Sequence, residues 1–204
     1  MNMAQLDPKL VQAGSCRKAF RTMMWAFVFF VPLPVQNVFP DVIGWILFLI
    51  AVQKVPRPHP AIGSMRLLAA FGLALWVART VAFHSAAAGT QELYLVLYLI
   101  AWAILLLFVW KACAVIAQLA DAAKADSVAQ AARWRRWLCI LPFVSLAVVA
   151  NFRSQVPPLA TFLFMFLVAC VLCLLMGLMA DAARTCALIE QPQPVGMDSG
   201  KQAS

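Results

Sequence analysis

Histidine and acidic residues are scarce in this chain. Its 204 residues include two histidines and eight Asp+Glu residues, against sixteen Lys+Arg residues. Histidine and carboxylate side chains carry out most general acid–base catalysis, so little capacity for that chemistry remains. The chain also lacks a glycine-rich phosphate loop, a His-Glu-x-x-His pair and a Gly-x-Ser-x-Gly elbow. We therefore expect a protein that is not an enzyme and that holds no cofactor.

Polar surface is scarce as well. Charged residues make up 12% of the chain and hydrophobic ones 64%, and the mean hydropathy is +0.86. A soluble domain is typically about 45–50% apolar, so the composition predicts an all-α, polytopic helical bundle in a membrane. The expected transmembrane helices are 19–35, 38–55, 65–84, 92–119, 137–152 and 159–180. They form one transmembrane domain, 19–189, between a cytoplasmic N-terminal segment, 1–18, and a disordered cytoplasmic tail, 190–204.

Basic residues lie on one side of the expected bundle. They concentrate in the N-terminal segment, in the regions 54–66 and 124–136 and near the C-terminus, whereas the opposite loops carry only Arg153. By the positive-inside rule, this asymmetry predicts that both termini lie in the cytoplasm and that the spans lie in a bacterial inner membrane. The net charge of +8 then favours the anionic headgroups of the lipid bilayer as partners, and we expect no nucleic-acid binding.

One interruption divides the first two expected spans, between residues 31 and 41. It carries three prolines, two amides and one carboxylate: Pro32, Pro34, Pro40, Gln36, Asn37 and Asp41. Proline stops a helix, and irregular backbone survives in lipid only where protein covers it or where it lines a wet cavity. The interruption is therefore either the outer turn between two full spans, which we favour, or the tip of a re-entrant hairpin.

Polar residues near this turn form a candidate functional cluster: Asp41, Arg79, His84, Asn37 and Gln36. Polar groups within a membrane are costly, and each is a hypothesis for function. Arg79 lies about 20 Å along its helix from Arg66 at the inner face, so an ion pair with Asp41 would let both charges tolerate this depth. The alternative is that these are ordinary interfacial residues, with Asp41 as a helix cap.

Small residues recur every fourth position in two of the expected spans. One stripe consists of Ala70, Ala74, Ala78 and Ala82, and the other of Ala169, Cys173 and Gly177. Small residues at this spacing let two helices approach closely in lipid. The alternative for the first stripe is a helix that is merely rich in alanine.

A basic, aromatic stretch precedes the fifth expected span, where residues 133–137 are RWRRW. Arginine binds lipid phosphates and tryptophan prefers the headgroup belt, so the stretch indicates a membrane interface. Upstream of it, we expect the fourth helix to continue past Asp121 as far as Ser127.

The stretch Pro40-Asp41-Val42-Ile43-Gly44-Trp45 resembles a signature of small bacterial polytopic membrane proteins, in which Pro-Asp, two apolar residues, glycine and an aromatic residue begin the second helix. The resemblance covers roughly residues 20–55, with Trp45 where tyrosine is usual. It implies that the Pro-Asp turn is a structural hallmark, and it implies no activity.

Two functions fit these patterns. The first is a non-enzymatic membrane protein that packs against a second copy or a membrane-protein partner through its small-residue stripes. The second is a transporter or channel for a small solute or ion, with the interrupted helix at 31–41 near its path.

Overall fold

The computed structural model describes residues 13–30, 39–55, 60–84, 90–141, 144 and 158–190. The helices with defined bounds are α1 (Ala13–Val28), α2 (Phe39–Lys54), α3 (Pro60–His84), α4 (Thr90–Ala122), α5 (Asp126–Leu138) and α6 (Pro158–Glu190). No strand occurs in these ranges. The prediction of an all-α protein is thus confirmed for this part of the chain.

Within the described residues, three helices are long and apolar enough to cross a membrane, through their segments Ala61–Val81, Val96–Ala122 and Phe162–Cys186. The first two helices are shorter: α1 and α2 have 16 residues each. At 1.5 Å per residue each is about 24 Å long, below the roughly 30 Å of a hydrocarbon core. The prediction of six spans is therefore not confirmed, and most of the fifth, 137–152, lies outside the described residues.

The helices form a bundle in which α1 packs against both α2 and α6, while α3 packs against α2 and α4. The first turn of α1 lies beside the last turns of its two neighbours. Ser15 Oγ donates a hydrogen bond to the Lys54 carbonyl oxygen over 2.5 Å, and Cys16 Sγ lies 2.7 Å from Cys186 Sγ. Because α1 begins where α2 and α6 end, it runs antiparallel to both of them.

Phenylalanine fills the centre of this bundle. Phe27 of α1, Phe48 of α2 and Phe108 of α4 are each fully buried. The Phe48 ring centroid lies 5.1 Å from that of Phe27 and 4.4 Å from that of Phe108. Large rings in close van der Waals contact hold helices together in lipid as in water, so this aromatic cluster is a principal contact between the first, second and fourth helices.

The expected continuation of the fourth helix to Ser127 is wrong. The helix α4 ends at Ala122, because Lys124 takes a left-handed conformation with φ of 55°. The Ala125 N–H then bonds the Ala120 carbonyl over 2.8 Å, and the Lys124 N–H bonds the Asp121 carbonyl over 3.1 Å. This pair of bonds is a Schellman motif, which satisfies carbonyls left open at a helix end. The chain then turns back as α5, which packs against α4 and α6.

Candidate functional site: a buried ion pair at the start of the second helix

Asp41 lies in the first turn of α2, immediately after Pro40. Proline is tolerated in a first turn because the N–H that it lacks would have no partner within the helix. A carboxylate is favoured there because the helix dipole places partial positive charge at the N-terminus. The local sequence thus explains both where α2 begins and why an acidic side chain is stable at that point.

Arg79 reaches Asp41 from the last part of α3. Its Nη2 atom lies 2.5 Å from Asp41 Oδ2, and the two side chains are 7% and 29% exposed. The guanidinium carbon also lies 5.6 Å from the centroid of the Tyr98 ring on α4. The ion pair, which the sequence left as one of two alternatives, is therefore present, and it joins the start of α2 to the end of α3 and the start of α4.

The position of Arg79 follows from the inward face of α3. Residues on this face recur at alternating spacings of three and four, as in any helix packed along one side. They are Ile62, Met65, Ala69, Gly72, Trp76 and Arg79, and all are buried or half-buried. Arg79 is the sixth residue of this face, and the other five are apolar or small. The helix therefore buries the Arg79 charge, which is unfavourable unless a partner such as Asp41 offsets it.

Two further residues of the Pro-Asp-x-x-Gly-aromatic stretch fix the same corner. A Cβ atom added to Gly44 would overlap the ring of Phe30, in the turn that follows α1. Trp45 is 2% exposed. A Cβ atom added to Gly72 of α3 would lie 2.5 Å from the Trp45 ring. The stretch therefore contacts the turn after α1 through its glycine, and α3 through both its aspartate and its tryptophan.

Sequence reasoning missed three residues that complete this corner, namely Phe30, Gly72 and Tyr98. Gly72 could have been found, because it lies seven residues before Arg79 on the same helical face. Of the other predicted members, His84 ends α3, and its side chain lies outside the described residues, as do Gln36 and Asn37. Their place in a polar cluster stays a prediction.

The alanine stripe of α3 lies on the side of the helix opposite Arg79. Ala70, Ala74 and Ala78 are exposed, and the side chain of Ala82 lies outside the described residues. We call the three exposed residues the alanine face. Because α2 and α4 pack on the other side of the helix, the alanine face is not used for packing within the described part of the chain.

The second stripe, on α6, is divided between two environments. Ala169 is half-buried, whereas Cys173 and Gly177 are exposed. A Cβ atom on Gly177 would lie 3.7 Å from Arg135 Nη1, so this part of the stripe lies beside α5. The glycine leaves room for an arginine of a neighbouring helix next to the α6 backbone.

Taken together, the residues of the corner form a neutral, inward-facing ion pair held by aromatic packing. Within the described ranges, no three His, Cys, Asp or Glu residues lie close enough together to hold a metal ion. Within the described residues, the fold and this corner define a class: an all-α protein with three helices able to cross a membrane and an inward-facing ion pair whose arginine is buried. Comparison of the chain with family models, with curated proteins and with solved structures finds no match.

Proposed function

We propose that the chain is a non-enzymatic, multi-pass protein of the bacterial inner membrane that associates with a second copy or with a membrane-protein partner through the alanine face of α3. The observation that carries the proposal is the exposure of Ala70, Ala74 and Ala78 on a helix apolar enough to span a membrane. In lipid, such a smooth surface lets another helix approach closely, and van der Waals contact then drives association.

The side chains around the alanine face support its use as a contact surface. Leu67, Phe71 and Val81 are 59%, 55% and 64% exposed. They line the small residues with larger apolar groups that can interlock with a second helix. A partner helix would therefore find a groove floored by alanine and bordered by bulkier side chains.

We further propose that α1 and α2 also cross the membrane, which gives six spans with both termini in the cytoplasm. Both helices expose large apolar side chains, including Trp25 at 53% and Ile46 at 43%. Such exposure is unfavourable in water and ordinary in lipid. Both helices are about 24 Å long, so the residues that flank them would complete the crossing.

The association is tested by Ala74→Leu together with Ala78→Leu. Leucine at these positions would keep helix backbones apart, so we expect energy transfer between donor- and acceptor-labelled copies in proteoliposomes, or co-purification of a membrane partner, to fall at least fivefold. Ala122→Leu is the matched control, because Ala122 is also an exposed alanine but lies at the end of α4. Association that is absent in the natural protein, or that survives both leucines, would contradict the proposal.

A transporter or channel for a small solute or ion is the second candidate. The observation that favours it is the buried Asp41–Arg79 pair beside the interrupted helix, because ionisable groups in membranes often mark a transport path. The phenylalanines packed at the bundle centre favour the first candidate instead. Ion flux into proteoliposomes that is lost with Asp41→Asn would support transport, and an absence of flux in the natural protein would reject it.

A further inference from the structure

The helix α5 presents one face to the bundle and a different face outward. Ala129 and Ala132 are buried against the neighbouring helices. On the other side Trp134 and Trp137 are 66% and 61% exposed, and the Arg133 side chain is 64% exposed. A short helix with arginine and tryptophan along its outer face is typical of a segment that lies in the headgroup layer of a membrane.

Two of the three arginines of α5 have partners within the chain. Arg133 Nη2 donates a hydrogen bond to Asp121 Oδ2 over 2.7 Å. Arg135 Nη1 donates to the carbonyl oxygen of Leu174 on α6 over 2.8 Å. Their charged groups are thus occupied in holding α5 against the last turn of α4 and the middle of α6.

Arg136 is held in a different way. Its guanidinium carbon lies 3.8 Å from the centroid of the Trp110 ring on α4, a close cation–π contact. The Trp137 ring meets the same Trp110 ring edge-on, at 5.1 Å and 83°. Within the described part of the chain, Arg136 has no ion-pair partner, and its buried Nε atom donates to no acceptor. Stacking on Trp110 therefore orients the Arg136 guanidinium, and none of the described carboxylates forms an ion pair with it.

We propose that Arg136, stacked on Trp110 and flanked by Trp137, binds the phosphate of an anionic phospholipid headgroup. A stacked guanidinium keeps the N–H groups at its edge in one plane, which suits the oxygens of a phosphate. The exposed indoles supply the amphipathic surroundings of a headgroup layer. Lys111, the exposed residue after Trp110, adds a second positive charge nearby. The inference rests on the membrane location of the protein and not on association through α3.

The test is native mass spectrometry of the detergent-purified protein titrated with phosphatidylglycerol and, separately, with phosphatidylcholine. We expect tighter binding of phosphatidylglycerol, and an affinity reduced about tenfold by Arg136→Gln, because one charge-assisted contact is lost. Arg136→Lys keeps the charge but loses the planar stack, so we expect a smaller loss, of about threefold. If Arg136→Gln does not fold, the phosphatidylglycerol affinity of Arg136→Lys is the measurement that tests the site.

Arg133→Gln is the matched control, because it removes the same charge from the same helix at an arginine that already has a partner. We expect it to change phosphatidylglycerol affinity less than twofold. Equal losses for the two glutamine variants would overturn the site in favour of a general charge effect. Equal binding of the two lipids would overturn it as well, and so would displacement of phosphatidylglycerol by millimolar inorganic phosphate, which would indicate a site for a free anion.

Discussion

Of the three arginine–aspartate pairs in the described residues, two join different helices, one towards each end of the bundle, and these two differ mainly in their exposure. Arg79 and Asp41 are 7% and 29% exposed, whereas Arg133 and Asp121 are 64% and 38% exposed. The first pair joins helices among apolar and aromatic side chains, and the second lies on the surface of α5 and α4. The same chemistry should therefore contribute very differently to stability at the two ends.

The two ends also differ in charge. Where α1 begins and α2, α4 and α6 end, the described chain carries many lysines and arginines: Arg17, Lys18, Lys54, Lys124, Arg133, Arg135, Arg136 and Arg184. Where α2 and α4 begin and α3 ends, the described arginine is Arg79, and Asp41 neutralises it. The described arginine at the second end is thus buried together with a carboxylate partner, as expected of a charge in a poorly hydrated place.

The largest effect is expected from breaking the buried pair. Asp41→Leu alone should lower the free energy of unfolding by about 3–5 kcal/mol, because it removes the carboxylate from Arg79, which is 7% exposed. Arg79→Met alone should cost less, because the Asp41 side chain is 29% exposed. The double variant should recover most of that loss, since an apolar pair of similar volume replaces the ions. Reversible unfolding in mixed micelles measures all three. A double variant as unstable as the sum of its single variants would refute the coupling.

A smaller effect is expected where α3 approaches α2. Gly72→Ala should destabilise the protein by about 1–3 kcal/mol, because the added methyl group meets the Trp45 ring. Gly63→Ala is its control on the same helix, where a Cβ atom has no neighbour within 4 Å. There alanine should stabilise the helix by about 0.5–1 kcal/mol. If both variants shift the unfolding midpoint in the same direction, the close contact at Gly72 is not real.

The smallest effect is expected at the surface pair. Arg133→Gln should change the free energy of unfolding by no more than about 0.5–1 kcal/mol, because water screens exposed ion pairs. Raising the salt concentration to about 1 M should remove even that difference. The measurement is the same unfolding experiment at two ionic strengths. If Arg133→Gln lowered the free energy of unfolding as much as Arg79→Met does, burial would not explain the difference between the two pairs.

Sequence reasoning reached the Asp41–Arg79 pair as one of two alternatives, because the cost of a charge in lipid needs no knowledge of the tertiary packing. The charges of Asp41 and Arg79 are each unfavourable in lipid alone and become tolerable when they pair. Pro40 sets the start of α2, the helix that carries Asp41. The packing of Gly72 against Trp45 was not predicted, because shape complementarity between distant helices leaves no local pattern.

The end of α4 shows a second limit of sequence reasoning. Glycine usually occupies the left-handed position that ends a helix, and here Lys124 occupies it. An alanine-rich stretch therefore looked like continuous helix, although tertiary contacts of α5 with α4 and α6 favour the turn. The basic, aromatic composition of residues 133–137 was visible in the sequence, whereas their place on a separate, returning helix was not.

The central claim is that the end with the buried ion pair and the basic end lie on opposite sides of the membrane. Single cysteines at Gln36 and Ser127, in a cysteine-free background, test it with a membrane-impermeant maleimide. The account predicts that Gln36→Cys reacts in intact cells and that Ser127→Cys reacts only after the inner membrane is opened. Labelling of both positions from the same side would contradict the account.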